Sequence, residues 1–211
     1  GADELVFLDI TASTDNRKSM IETIKKVSEV TFIPFTVGGG IRSVNDIEET
    51  LKAGSDKISI NTSAILNPQL ISEGAKHFGS QCIVVAVDSR NVGGVDKVFI
   101  YGGKTETEWS VVDWCKKVED LGAGEILLTS WDRDGTKSGF DVPLLKSVSS
   151  NISIPLIASG GGGTMEHFVE AAKDGGASGV LAASVFHFGE INIAKLKEYM
   201  SEKGVPVRVD F

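Results

Sequence analysis

Two stretches of the chain end in glycines directly after a short apolar segment, and both could bind phosphate. Residues 33–40 and 154–161 each begin with Ile-Pro, and Pro34 and Pro155 lie 121 residues apart. Glycines that lead into a helix expose backbone N–H groups, and such groups bind anions. The glycines could instead only relieve crowding in tight turns. Their repetition at a matched offset favours two phosphate sites.

Each glycine stretch is followed, one predicted strand later, by a short segment that could complete a phosphate pocket. The first pocket would contain Gly40, Asn61 and Thr62. The second would contain Gly161, Ala183 and Ser184. We expect the two pockets to face each other at one mouth, where a small-molecule substrate with a phosphate at each end would fit.

Carboxylates at the ends of predicted strands are candidates for proton transfer. Asp88 follows the apolar run 82–87, and a carboxylate in that setting is costly unless it is used or paired. It could act as a general acid or base, with Asp9 as a competitor for that role. Asp134 lies in a charged loop, and Thr129 and Gly135 from the same loop region are expected to contact the substrate. A histidine-activated nucleophile is not recognisable.

Composition excludes several other classes of function. The net charge of −8 argues against a nucleic-acid or anionic-membrane partner, and no apolar run is long enough to span a membrane. Cys82 and Cys115 lie in apolar surroundings without neighbouring metal-ligating residues, which fits a reducing cytoplasm. We therefore expect neither a metal nor a cofactor. All three histidines are interpreted as packing residues.

Strands and helices are predicted to alternate strictly along the chain. Strands are expected at 5–9, 33–37, 57–60, 82–87, 125–129, 155–158 and 179–182, and a hairpin segment at 95–101. Helices are expected at 17–30, 46–53, 68–78, 108–121, 142–148, 165–173 and 191–203. Such alternation fits a parallel sheet, either a closed (β/α)8 barrel or an open doubly wound sheet.

The internal repeat decides between the two architectures. Residues 1–5 match residues 122–126, again 121 positions apart, so the period covers four strand–helix units. The sequence therefore predicts an α/β protein with a (β/α)8 TIM barrel and a twofold internal repeat. Seven of the eight units fall within 1–211, as a single domain whose first unit would precede Gly1. A chain without that unit is expected to lack activity.

Several motifs resemble one family, the cyclase subunit of imidazole glycerol phosphate synthase (HisF). The matching segments cover residues 3–13, 34–41, 60–62, 85–88, 122–130, 132–139 and 182–188. The resemblance implies a TIM-barrel lyase of histidine biosynthesis. It would use ammonia to convert the formimino ribulosyl intermediate PRFAR, a bisphosphate, to imidazole glycerol phosphate and AICAR. Ammonia would come from a glutaminase subunit (HisH) in a heterodimer.

The resemblance also assigns roles to individual positions. Asp88 matches one of the family's two catalytic aspartates, and Asp134 a supporting acidic position. The residues Glu4, Lys57 and Glu125, at predicted strand starts, match an ammonia gate, whereas their spacing alone would favour a plain salt-bridge layer. The partner-facing side would include Asp56 and Gln81.

Two other readings stay open at this point. One is the sister phosphoribosyl isomerase (HisA-like), which shares the charged loop 132–136. The other is a barrel fragment without catalysis. Residues 9–11 and the charges at the strand starts favour the cyclase over the isomerase.

Overall fold

A computed structural model describes residues 1–8 and 16–209. Contacts divide the chain into two compact units. Unit 1 contains Val87–Lys117 and Ile126–Phe211 together with Gly1, and unit 2 contains Ala2–Ala86 and Val118–Glu125.

The strands are β1 (Leu5–Leu8), β2 (Phe35–Gly38), β3 (Lys57–Ile60), β4 (Ile83–Val92), β5 (Val95–Ile100), β6 (Thr105–Ser110), β7 (Glu125–Ser130), β8 (Leu156–Ser159) and β9 (Gly179–Leu181). The helices are α1 (Asn16–Ser28), α2 (Val44–Lys52), α3 (Thr62–Leu66), α4 (Gln69–Phe78), α5 (Val111–Asp120), α6 (Val142–Ser149), α7 (Met165–Lys173), α8 (Ser184–His187) and α9 (Ile193–Glu202). In unit 2 the strand order is β1-β2-β3-β4, and in unit 1 it is β7-β8-β9.

In unit 2, neighbouring strands pair in parallel. Leu5 lies opposite Phe35 at the start of the β1–β2 pair, and β2–β3 and β3–β4 continue the same direction. In unit 1, β7–β8 and β8–β9 are also parallel. Parallel strands that alternate with helices confirm the predicted (β/α)8 class, since each crossover needs a helix.

The apolar strand sequences reflect burial on both faces. All four residues of β2 are buried, and Phe35 and Val37 pack with Met20 and Ile24 of α1. In unit 1, a row of aromatic rings joins the loop before α6 to α7 and α8. The ring centres of Phe140 and Phe168 lie 5.4 Å apart, and those of Phe168 and Phe186 lie 5.6 Å apart.

An antiparallel hairpin in unit 1 differs from the sequence prediction. The predicted end of the fourth strand near Asp88 is wrong, because β4 continues to Val92 and pairs there with β5. A further strand, β6, occupies 105–110, so α5 begins at Val111 rather than at 108 as predicted. The antiparallel partner supplied by β5 is what keeps these polar segments extended.

The twofold repeat is present in the elements themselves. β2 and β8 are 121 positions apart, and so are α2 and α7. Two short helices that were not predicted, α3 and α8, also begin 122 positions apart, directly after β3 and β9. The predicted internal repeat is therefore confirmed at the level of secondary structure.

Candidate functional site

The carboxyl ends of β4 and β7 are joined by hydrogen bonds within unit 1. The backbone N–H of Trp131 donates to the carbonyl of Ser89 at 3.0 Å. The hydroxyl of Ser89 donates to the carbonyl of Thr129 at 3.1 Å. The N–H of Asn91 donates to the carboxylate of Asp132 at 2.7 Å. These bonds hold the segments that carry Asp88 and the charged loop together.

Asp88 is half-buried inside β4, opposite Phe99 of β5. It is therefore not the last residue of its strand, and the β4–β5 hairpin extends beyond it. Successive side chains of a strand point to opposite faces, so Asp88 shares its face with Arg90. The carboxylate thus lies on a hydrogen-bonded segment instead of a loose loop.

The charged loop after β7 holds Asp134 and Gly135 at the surface. The N–H of Asp134 donates to the carbonyl of Ser130 at 2.9 Å, which closes the loop onto the end of β7. Gly135 has a φ of 72°, and the space that a Cβ atom would occupy there is open. The next residue, Thr136, turns its hydroxyl back to the carbonyl of Arg133 at 2.7 Å. The loop therefore presents an exposed carboxylate on an ordered turn.

The unit 1 glycine loop (residues 160–163) packs directly against this charged loop. Gly160 and Gly161 have φ values of 90° and 104°. A Cβ atom on Gly161 would lie 2.2 Å from the carbonyl oxygen of Gly139, whose own N–H donates to Gly161 at 2.8 Å. One on Gly160 would lie 2.7 Å from the carbonyl oxygen of Ser130. Close loop packing thus requires these glycines, as the crowding interpretation expected.

A histidine closes the same loop, which the sequence interpretation missed. The Nδ1 atom of His167 accepts the backbone N–H groups of Gly163 and Thr164, each at 3.2 Å. His167 therefore caps the start of α7, which is a structural role more specific than the packing role predicted for it. A His three residues after a Thr is not the usual capping-box pair, so the pattern gave no signal.

The second part of the predicted unit 1 pocket follows β9. Ala183 and Ser184 are exposed, and the carbonyl of Ala183 accepts the N–H of Phe186 at 3.1 Å. The backbone of Ala183 has φ and ψ of −114° and −73°. This residue marks the turn from strand into α8.

Unit 2 repeats this backbone at its own predicted pocket. Gly39 and Gly40 have φ values of 104° and 69°, so the unit 2 glycine loop (residues 38–40) also uses left-handed residues. Asn61 has φ and ψ of −124° and −93°, close to those of Ala183, and α3 begins at Thr62. Gly40, Asn61 and Thr62 are half-buried. The two predicted pockets therefore share one backbone pattern.

The predicted charge ring at the strand starts is an ion cluster within unit 2. The Nζ atom of Lys57 lies 3.0 Å from a carboxylate oxygen of Glu4, and it is also hydrogen-bonded to Glu125. The side chains of Lys57 and Glu125 are only 14% and 16% exposed. Burial alone would lower the pKa of Lys57, but the hydrogen bonds and charges of Glu125 and Glu4 outweigh it and raise that pKa.

One oxygen of this cluster has no hydrogen-bond partner within the described residues. It is the Oε2 atom of Glu125, which is buried. Nearby, Asp56 is exposed and accepts the N–H of Phe35 at 2.8 Å. The exposed side chain of Gln81 folds over Gly79. A Cβ atom added to Gly79 would lie 2.4 Å from the Oε1 atom of Gln81.

Other kinds of site have little support in the part of the chain that the structure describes. There, no three His, Cys, Asp or Glu side chains are grouped so that they could hold a metal ion. Cys82 and Cys115 are free, and burial raises the pKa of the Cys115 thiol to about 12. No helix within 1–8 and 16–209 has the length and apolar character to cross a membrane.

Comparison with known proteins points to one family. A family model described as "Histidine biosynthesis protein" matches residues 1–192. The imidazole glycerol phosphate synthase subunit HisF of Caulobacter vibrioides (strain NA1000 / CB15N) is 54% identical over 212 residues. This match covers 100% of the present chain and 82% of the relative.

Proposed function

We propose that the chain is the cyclase subunit of an imidazole glycerol phosphate synthase, since it belongs to the histidine biosynthesis protein family. In this reaction ammonia adds to PRFAR, which is cleaved and cyclised to imidazole glycerol phosphate and AICAR. The 54% identity to a HisF subunit supports this assignment over the isomerase alternative. The residue roles below are part of the same proposal.

The observation that carries the proposal is the repeated loop backbone. Each unit has two consecutive left-handed glycines after a strand, and each has a matching strand-to-helix turn after the following strand, at Asn61 or Ala183. Backbone N–H groups in such turns suit phosphate oxygens. Thus each unit would bind one phosphate of a bisphosphate substrate. Gly40 and Thr62 would serve in unit 2, and Gly161 and Ser184 in unit 1.

Asp88 is the proposed general acid or base. The neighbouring residues Ser89 and Asn91 are both hydrogen-bonded to the segment after β7, and these bonds fix the backbone of β4 on the carboxyl side of Asp88. Asp88 would take a proton as ammonia adds and return one to the leaving group, since one carboxylate can do both in sequence. Asp134 and Gly135, exposed on the adjoining loop, would orient the substrate together with the half-buried Thr129 near the end of β7.

The ion cluster of unit 2 is the proposed entry for ammonia. Lys57 starts β3, Glu125 starts β7 and Glu4 directly precedes β1, so all three lie at amino-terminal strand ends. Catalytic loops of barrels lie at the carboxyl ends, which leaves this end for a partner. We infer that a glutaminase subunit (HisH) docks there, with Asp56 and Gln81 on its contact side. The two free thiols suit the cytoplasm, where we place the complex.

An ammonium-dependent assay with PRFAR tests the proposal. Asp88→Asn should lower turnover at least about 100-fold, because general acid–base catalysis typically contributes that much, while substrate binding is retained. Asp174→Asn, an exposed residue of unit 1 at the end of α7, is the matched control and should leave turnover unchanged. Full turnover in Asp88→Asn would reject the assigned role. Failure to form product in a protein that includes the first strand–helix unit would reject the function.

A further inference from the structure

Arg90 lies between two aromatic rings in unit 1, and the catalytic proposal does not use it. Its guanidinium carbon is 5.5 Å from the ring centre of Phe99 and 5.2 Å from that of Trp131. Phe99 belongs to β5, and Trp131 follows β7 directly. A cation held over two ring faces is stabilised electrostatically and has little freedom to move.

Two buried donors of this stack lack an acceptor among the described residues. Within residues 1–8 and 16–209, the buried Nε–H of Arg90 and the buried indole Nε1–H of Trp131 have no hydrogen-bond partner. Attraction to a ring face satisfies none of these N–H groups, since it uses the charge and not a lone pair. A buried donor left unsatisfied costs about 1–3 kcal/mol, so two adjacent ones call for a ligand that supplies an acceptor.

The backbone places this stack beside the proposed catalytic carboxylate. Arg90 is two residues beyond Asp88 on the same face of β4. The hydrogen bond from the N–H of Trp131 to the carbonyl of Ser89, at 3.0 Å, fixes the ring next to that strand. The stack is therefore part of a rigid segment at the carboxyl end of the strands, where barrel enzymes bind their substrates.

We infer that Arg90 and Trp131 bind an oxygen acceptor of the substrate next to Asp88, which rests on the function proposed above. Arg90 supplies the charge and a donor, and Trp131 supplies a neutral donor. The acceptor is a carboxamide carbonyl, because the phosphates are assigned to the glycine loops and because a carbonyl accepts hydrogen bonds from guanidinium and indole groups. The product AICAR carries this group.

Isothermal titration with two compounds tests this inference on the intact chain. AICAR carries the carboxamide and a phosphate, whereas ribose 5-phosphate carries only the phosphate. Arg90→Met retains an apolar stem between the rings but loses every donor, and Trp131→Phe retains a ring but loses the N–H group. Lys97→Met is the matched control, because Lys97 lies opposite Arg90 in the β4–β5 ladder and donates to the carbonyl of Glu108 at 3.1 Å.

We expect Arg90→Met to weaken AICAR binding roughly 10- to 100-fold, as lost charged hydrogen bonds usually do. Trp131→Phe should weaken it roughly 3- to 10-fold, and Lys97→Met should bind as the wild type does. A parallel loss for ribose 5-phosphate would overturn the carboxamide assignment. An unchanged affinity for ribose 5-phosphate would identify the carboxamide.

Unfolding midpoints of each variant show whether a loss of binding reflects loss of the fold. If Arg90→Met does not fold, Trp131→Phe and Arg90→Lys decide, because Arg90→Lys keeps the cation over the rings but lacks the Nε–H donor. Folded variants that bind AICAR as tightly as the wild type overturn the inference alone. A wild-type chain that does not bind AICAR overturns the proposed function, and the inference with it.

Discussion

The two units follow one backbone plan but stabilise it with different side chains. In unit 2, the carboxylate of Asp46 accepts the N–H groups of Arg42 and Ser43 at 2.8 and 2.9 Å. In unit 1, His167 accepts the equivalent pair, and it lies 121 positions after Asp46. The repeat therefore preserves the position of an acceptor and not its chemical identity.

The side chains of the ion cluster also differ between the two halves of the repeat. Glu4 and Glu125 are repeat partners, 121 positions apart, and both bind Lys57. The position that corresponds to Lys57, 122 residues later, is Gly179. Unit 2 therefore holds two repeated glutamates with one lysine that the repeat does not duplicate. A feature that breaks the repeat in this way is more informative about function than one that the fold alone requires.

The largest expected effect concerns the glycine loops. In Gly161→Ala, the new Cβ atom would lie 2.2 Å from a backbone oxygen, and the residue would have to keep a φ of 104°. The variant is therefore destabilised both by a clash with the backbone and by backbone strain. We expect a loss of about 3–4 kcal/mol in the free energy of unfolding. In Gly38→Ala of unit 2, the nearest atom is the flexible Cδ2 of Leu8 at 2.6 Å, and we expect a loss of about 1 kcal/mol.

Denaturant unfolding of both variants measures this difference. Equal losses in the two variants would show that the unit 1 loop can shift away from Gly139, and that close packing does not dictate its glycines. A larger loss in Gly38→Ala would reverse the comparison.

The second prediction removes the cation from the unit 2 ion cluster. Lys57→Met leaves the nearly buried carboxylate of Glu125 without its partner, so we expect a loss of about 1–3 kcal/mol in the free energy of unfolding. Lys52→Met is the control, because Lys52 pairs with Glu48 at 2.5 Å on the surface, where its side chain is 73% exposed. That variant should lose less than about 0.5 kcal/mol. Equal losses would show that burial adds nothing to the cluster.

The third prediction concerns the pH dependence of the unfolding free energy of the wild type and of Lys57→Met, which follows from the raised pKa of Lys57. A lysine whose pKa is higher in the folded state stabilises the fold fully below its unfolded pKa, and this contribution is lost as the pH rises through the folded value. The difference in unfolding free energy between the wild type and Lys57→Met should therefore decrease as the pH rises beyond 10.5, the ordinary lysine value. A difference that stays constant there, measured by denaturant unfolding, would contradict the cause given for the shift.

The regular part of the fold could be predicted because its signals are local. Buried parallel strands appear as continuous apolar runs, and α7 has the predicted bounds, Met165–Lys173. The polar strand β6 gave no such signal, since residues such as Glu106 and Glu108 do not alternate with apolar ones and are held by pairing with β5. A strand that depends on its partner in this way cannot be found from its own residues.

The site was predictable to a different extent. The glycine positions could be located from strand ends, whereas the strand end predicted near Asp88 lies in fact at Val92. The stack of Arg90, Phe99 and Trp131 could not be anticipated, because it joins three separate segments through side-chain geometry. The spacing of Glu4, Lys57 and Glu125 predicted charges at the strand starts, but not that one lysine would bind both glutamates.

The smallest expected effect tests whether the two caps are interchangeable. His167→Ala and Asp46→Ala should each lose about 1 kcal/mol in the free energy of unfolding, because each leaves two backbone N–H groups without an acceptor. His167→Asp should lose less than His167→Ala, since a carboxylate accepts the same N–H groups and is favoured at the start of a helix. If His167→Asp proved as unstable as His167→Ala in denaturant unfolding, the imidazole of unit 1 would be required for its shape, and the caps would not be equivalent.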